Sequence, residues 1–132
     1  MKRDLEKLVA LARKAGEFAY APYSHYPVGA AVLTRSGKFY SGCNIENAAY
    51  PTGTCAERVA IFKAVSEGEC DLVALAVVTS NAGSPCGACR QAFSEFASDD
   101  AVIVLAPARG SKRKKFTMKQ ILPDRFGPQH LL

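Results

Sequence analysis

The feature that most restricts the fold is Leu72 to Val78, an unbroken apolar run rich in valine and leucine. A run this short falls well below the ~20 residues of a membrane span, and its composition suits a strand covered on both faces. Such a strand needs helices above and below it. Val102 to Leu105 repeats the pattern, and a helix is expected between the two from Ser84-Pro85, proline being tolerated at a first helical position. Upstream, Leu5, Leu8, Val9, Leu11, Ala12, Ala15 and Phe18 recur at three and four residues, which predicts an amphipathic helix to about Phe18. Pro22 and Pro27 then force an irregular segment before a hairpin of Val28 to Leu33 and Phe39 to Cys43, turning at Ser36-Gly37. Asn44 to Gly53 reads as a loop, and Cys55 opens a helix that stops near Gly68. With a weak strand near Phe116 and a short helix after Thr117, the order α-β-β-α-β-α-β implies an α/β chain. Its sheet is at least partly parallel, with helices on both faces.

A length of 132 residues, 48% of them apolar, suits one domain spanning 1–132. The charged start, Met1-Lys2-Arg3-Asp4-Leu5-Glu6-Lys7, lacks an apolar signal core, so the expectation is a soluble, cytoplasmic protein with no membrane partner. The net charge of +5 permits anionic partners without requiring them. Its densest part, Lys112 to Lys115, has no interleaved aromatic residue and is read as a solvated loop after Gly110, not a nucleic-acid site.

Five cysteines, an odd number in a chain large enough to fold without staples, favour metal binding or buried thiols over a disulfide framework. Their spacing is therefore informative. Cys86 and Cys89 stand three apart in a first helical turn, and Cys55 holds the same place on the preceding helix. Helix N-termini favour thiolate over thiol, the form that binds zinc. Three such ligands without a fourth describe an open site with a place for water, whereas a structural zinc site is normally closed with four. A fourth ligand would have to be His25, His130, Cys43 or Cys70, none at ligand spacing from another. Cys43 and Cys70 are read as small buried or half-buried thiols, and the histidines as surface residues.

Glu57 admits two readings. Thr54-Cys55-Ala56-Glu57 fits a capping box, but a carboxylate two residues from a zinc ligand also suits proton transfer to and from a water there. Arg58, next to it, is either an ordinary surface arginine or a guanidinium that offsets the charge of the thiolates.

Cys55-Ala56-Glu57-Arg58 together with Pro85-Cys86-Gly87-Ala88-Cys89-Arg90-Gln91 resembles the three-cysteine branch of the cytidine deaminases. The similarity extends to Ala21 to Ser24, Pro27 to Ala31, Gly42 to Tyr50, and Leu122-Pro123 with Phe126, and so covers residues 5 to 127. The resemblance implies a three-layer α/β/α sandwich with a mixed sheet of about five strands. It implies zinc, one per chain, on Cys55, Cys86 and Cys89, with Glu57 as the catalytic proton carrier and Arg58 behind the sulfurs. Asn44 and Glu46 would hold the ribose hydroxyls, though on their own they read equally as a polar turn. The Ala56 N–H and Ser84 carbonyl would read the pyrimidine edge. Tyr26 stands where the family usually has phenylalanine beside sugar and base. Enzymes of this size in the family are usually homotetramers with shared pockets, which would send Tyr50 and Phe126 across an interface. The implied activity is hydrolytic deamination of cytidine and deoxycytidine in pyrimidine salvage.

Overall fold

A computed structural model describes residues 1–132. Helix α1 (Lys2–Gly16) leads to strands β1 (Gly29–Thr34) and β2 (Phe39–Cys43), then α2 (Ala56–Ser66), β3 (Leu72–Thr79), α3 (Gly87–Glu95), β4 (Ala97–Pro107), β5 (Lys114–Thr117) and the short α4 (Met118–Ile121). Single 3₁₀ turns occur at Tyr50–Thr52 and Pro128–His130. The five strands form one mixed sheet in the order β2-β1-β3-β4-β5, parallel only between β3 and β4. The resemblance to a three-layer sandwich is therefore met in strand number and in sheet type.

Alternation along the central strands sorts the core into two layers. Ala31, Leu33, Ala74, Ala76, Val78, Val104 and Ala106 face Leu5, Leu8, Val9 and Ala12 of α1. Val32, Leu75, Val77, Ile103 and Leu105 face the other way, onto Ala60 and Ile61 of α2, Phe93 of α3 and Met118 of α4. The four alanines on the α1 side let that helix settle close to the sheet. Gly29 shows how close, since a Cβ there would lie 1.8 Å from the Ala12 carbonyl oxygen. Only glycine fits at the start of β1.

Several expected boundaries move. Helix α1 ends at Gly16, because Glu17 and Phe18 close tight bonds to the carbonyls of Lys14 and Ala15, and Phe18 is left exposed. Helix α3 begins at Gly87, after Cys86 as its N-cap; Pro85 stands before the helix, where Cys86 is still extended. Strand β4 starts five residues earlier than its apolar run, pairing Ala97 with Leu72 before a register shift. Lys112 to Lys115 is not one loop: Lys114 and Lys115 belong to β5, an edge strand, where lysines discourage pairing with another chain. Arg113 instead folds back onto Glu6 of α1 at 3.2 Å.

Candidate active site and metal centre

Strand directions decide where the site can be. Since β1 is antiparallel to both β2 and β3, the end of β2, the end of β3 and the start of β1 lie at one edge of the sheet. From that edge one loop leads through Asn44 and Glu46 to α2, and another through Ser84 to α3. Ligand sites in α/β folds form beyond the carboxyl ends of such strands.

Both helices start on a cysteine. Cys55 and Cys86 are the N-caps of α2 and α3, each in extended conformation, and Cys89 lies in the first turn of α3. The Sγ atoms of Cys55, Cys86 and Cys89 lie within 4.8 Å of one another, and no histidine, carboxylate or further cysteine joins them. Cys89 is buried, Cys55 half-buried and Cys86 exposed, so the cluster is open on one side. All five cysteines are free thiols. Cys43 is half-buried, as expected; Cys70 is exposed on the turn between α2 and β3, because the chain there leaves the helix before the sheet begins.

The donor set fits a soft divalent cation. The neighbouring Cys89 thiol and the Arg58 guanidinium hold the Cys55 pKa down to about 5. The Cys55 sulfur beside it, helped by burial, pushes the Cys89 pKa up. Arg58 Nη2 lies 3.4 Å from Cys55 Sγ, and its buried Nε has no protein partner. The sulfurs of Cys55 and Cys89 beside it raise the pKa of Arg58 above its ordinary value, keeping it charged behind the cluster. It is not a free surface arginine.

Glu57 is 5% exposed, in the first turn of α2. No side-chain cap is made at this helix start, and the N-cap is Cys55 and not Thr54, so the capping-box reading of Glu57 is ruled out. Burial raises its pKa above the usual carboxylate range, and its own backbone N–H, Arg58 and the Cys89 thiol oppose the shift.

A cleft of about 530 Å³ opens beside Cys55 and Arg58 and runs past Asn44, Glu46 and Tyr50. The Asn44 amide spans the backbone around Pro27, donating to the Tyr26 carbonyl and accepting from the Val28 N–H, both at 2.9 Å. Glu46 accepts from the N–H groups of Tyr23 and Ser24 at 3.0 and 3.1 Å and from the Ser24 hydroxyl. The Ser24 hydroxyl is the main reason its pKa is lowered. Both residues thus brace the turn and also face the cleft. Tyr23 and Tyr50 meet edge to face at 5.9 Å, and Tyr50 is 74% exposed. Ala56 is buried at the start of α2, where first-turn N–H groups have no partner within the helix. Tyr26, Ser84 and Phe126 do not line this cleft. Phe126 is 55% exposed and stacks on His130.

Sequence reasoning gave no role to Arg90 or Gln91. Arg90 donates to Ser84 Oγ at 2.8 Å and to the carbonyls of Pro85 and Ile121 at 2.9 and 2.7 Å, locking the loop that precedes Cys86. Gln91 Nε2 donates to the Phe126 carbonyl at 2.9 Å. The only advance signal was their place in the cysteine motif.

Residues 2–106 match the family described as the cytidine and deoxycytidylate deaminase zinc-binding region. A cytidine deaminase of Sporosarcina psychrophila is 48% identical over 130 residues, covering 97% of this chain and 95% of the relative. A probable cytidine deaminase of Dictyostelium discoideum is 38% identical, covering 99% and 89%. Among solved structures, the cytidine deaminase of Burkholderia pseudomallei superposes with a TM-score of 0.85 at 42% identity, over 92% of this chain and 98% of that one. That of Mycobacterium tuberculosis gives 0.78 at 34%, over 94% and 98%. With its thiol cluster at two helix starts and its mixed five-stranded sheet, the chain belongs to the cytidine and deoxycytidylate deaminase family.

Proposed function

We propose that this single-domain enzyme hydrolyses cytidine and 2′-deoxycytidine to uridine and deoxyuridine with release of ammonia. The observation that carries the reading is a buried carboxylate, Glu57, beside an open cluster of Cys55, Cys86 and Cys89. Zinc held by those three thiolates supplies the chemistry of water activation, making the nucleophile available near neutral pH. Glu57 takes the proton that water gives up and delivers it to N3 of the cytosine as oxygen adds to C4. It then moves the proton of the new hydroxyl to the departing amino group, so one carboxyl serves as base and then as acid. The Ala56 N–H and the Ser84 carbonyl hold the pyrimidine edge, and Arg58 stabilises the thiolates.

The sugar end is held by Asn44 and Glu46. An ionised carboxylate has about four acceptor sites, so Glu46 takes a ribose 3′-hydroxyl while keeping its bonds to Tyr23 and Ser24. A 3′-phosphate would set like charges in contact. Ammonia release at physiological salt should therefore be seen with cytidine and deoxycytidine, but not with cytidine 3′-monophosphate or a single-stranded oligonucleotide. Glu46→Ala should weaken cytidine turnover and narrow that gap. Equal rates on cytidine and the oligonucleotide would overturn the nucleoside assignment.

The same reading makes the protein a homotetramer of pyrimidine salvage, working in the cytoplasm. Five free thiols suit a reducing compartment, and no helix is long and apolar enough to cross a membrane. The exposed rings of Tyr50 and Phe126 are the groups expected to complete a neighbour's pocket. Mixing Glu57→Gln subunits with Phe126→Ala subunits by unfolding and reassembly should restore activity, because a hybrid pairs an intact Glu57 with an intact Phe126. A fully active monomer, or verified hybrids with no recovery, would contradict shared sites.

A further inference from the structure

We infer that Tyr26 is a positioning residue, whose backbone and hydroxyl together tie the segment carrying Asn44 and Glu46 to the loop carrying Ser84, and that Gly83 is glycine because this hydroxyl lies against it.

Three separate atoms of Tyr26 make the tie. Its carbonyl accepts from Asn44 Nδ2 at 2.9 Å. Its N–H donates to Ser24 Oγ at 3.1 Å, and that hydroxyl in turn donates to Glu46. Its own hydroxyl donates to Asn81 Oδ1 at 2.7 Å, across 55 residues of sequence. One residue therefore bridges the sugar-facing pair and the loop that leads into Ser84 and Cys86.

The loop end of the bridge is anchored in the sheet. Thr79, buried at the end of β3, donates to Asn81 Oδ1 at 3.2 Å and accepts from the Gly83 N–H at 2.7 Å. A Cβ on Gly83 would stand 2.5 Å from the Tyr26 hydroxyl oxygen, but 3.4 Å from Asn81 Oδ1 and 3.5 Å from Thr79 Oγ1. Only the first is closer than van der Waals contact allows. The obstacle to a side chain at Gly83 is thus the tyrosine hydroxyl alone, and phenylalanine at position 26 would remove it.

A phenylalanine would keep the ring and its backbone bonds but leave Asn81 without this partner. Since Ser84 follows Gly83 directly, losing the bond loosens the spacing between the two ends of the nucleoside site. A positioning group of this kind acts on substrate and transition state alike, so its loss is read mainly in KM.

The kinetic half of this inference rests on the cytidine-deaminating reading; the contact between Tyr26 and Gly83 does not. The test is a cycle of Tyr26→Phe, Gly83→Ala and the double variant, each measured for cytidine kinetics and for thermal melting. Tyr26→Phe should raise KM about 2- to 10-fold, the span of one neutral hydrogen bond, with kcat nearly unchanged. Gly83→Ala should raise KM at least as much and lower Tm, because the new methyl group drives the hydroxyl off Asn81. The double variant should match Tyr26→Phe alone in both. An unchanged KM in Tyr26→Phe would overturn the positioning role, and so would effects of the two substitutions that simply multiply. A Gly83→Ala loss of Tm as large in the Tyr26→Phe background as in the parent would overturn the contact. Failure of the parent protein to turn over cytidine would strike the functional reading, while the melting cycle would still decide the contact.

Discussion

Replacing Glu57 by glutamine should leave a folded protein with its full complement of zinc and a turnover lower by at least ~10²-fold, the lower end of what acid-base catalysis contributes. Glutamine keeps the size of the side chain but is neutral and cannot accept and return a proton. Stability should not fall with activity. The Glu57 carboxyl is buried, and burial raises its pKa, so in the folded metal-free protein it is held against its own charged form. A raised carboxyl pKa stabilises the folded state at low pH, and that contribution is lost as pH rises through the shifted value. At neutral pH the neutral amide escapes this penalty, so the metal-free variant should melt no lower than the parent. Retained turnover in a folded Glu57→Gln protein would reject the catalytic role.

Loss of a cysteine from the cluster should be as severe for activity and should act through the metal. Cys89 is fully buried between the starts of α2 and α3, where its sulfur meets those of Cys55 and Cys86. Cys89→Ala leaves two thiolates, too few for a zinc site, so zinc should be lost on dialysis and turnover with it. Because binding at a site made only by the folded chain stabilises that fold, the variant should also melt lower than the zinc-loaded parent. Cys43→Ser and Cys70→Ser, outside the cluster, should keep one zinc per chain. Metal analysis of the four proteins decides the matter. Zinc retained by Cys89→Ala, or lost from Cys70→Ser, would contradict the ligand set.

The layout of the sheet was legible because its central strands are apolar on both faces, and only helices on both sides can cover Leu72–Thr79. The ligand cluster was legible for a related reason. Cys86 and Cys89 are neighbours by helical spacing, and Cys55 joins them because two strands ending at one edge deliver two helix starts there. Exact ends were less legible. Pro85 suits the first turn of a helix, yet here it precedes the N-cap, a choice set by Cys86 and its carbonyl bond from Arg90. The capping-box pattern at Thr54 was a local signal that the fold does not use, since α2 starts from Cys55 with no side-chain cap. Polar contacts between distant segments left no trace at all. Arg90 reaches Ile121 and Tyr26 reaches Asn81 through single side chains, and neither partner, Ile121 nor Asn81, is marked by a period or motif. The sequence around Glu46 read equally as a polar turn, and its bonds to Tyr23 and Ser24 depend on a turn whose shape two prolines allow without specifying.

The most direct test of the account is ammonia release from cytidine by the purified protein, followed as zinc is removed with a chelator and then returned. Release should match uridine formed mole for mole, cease when the metal is gone, and recover when one zinc per chain is restored. Deamination that continues at full rate in protein shown to be free of metal would contradict it, as would zinc-loaded protein that forms no uridine.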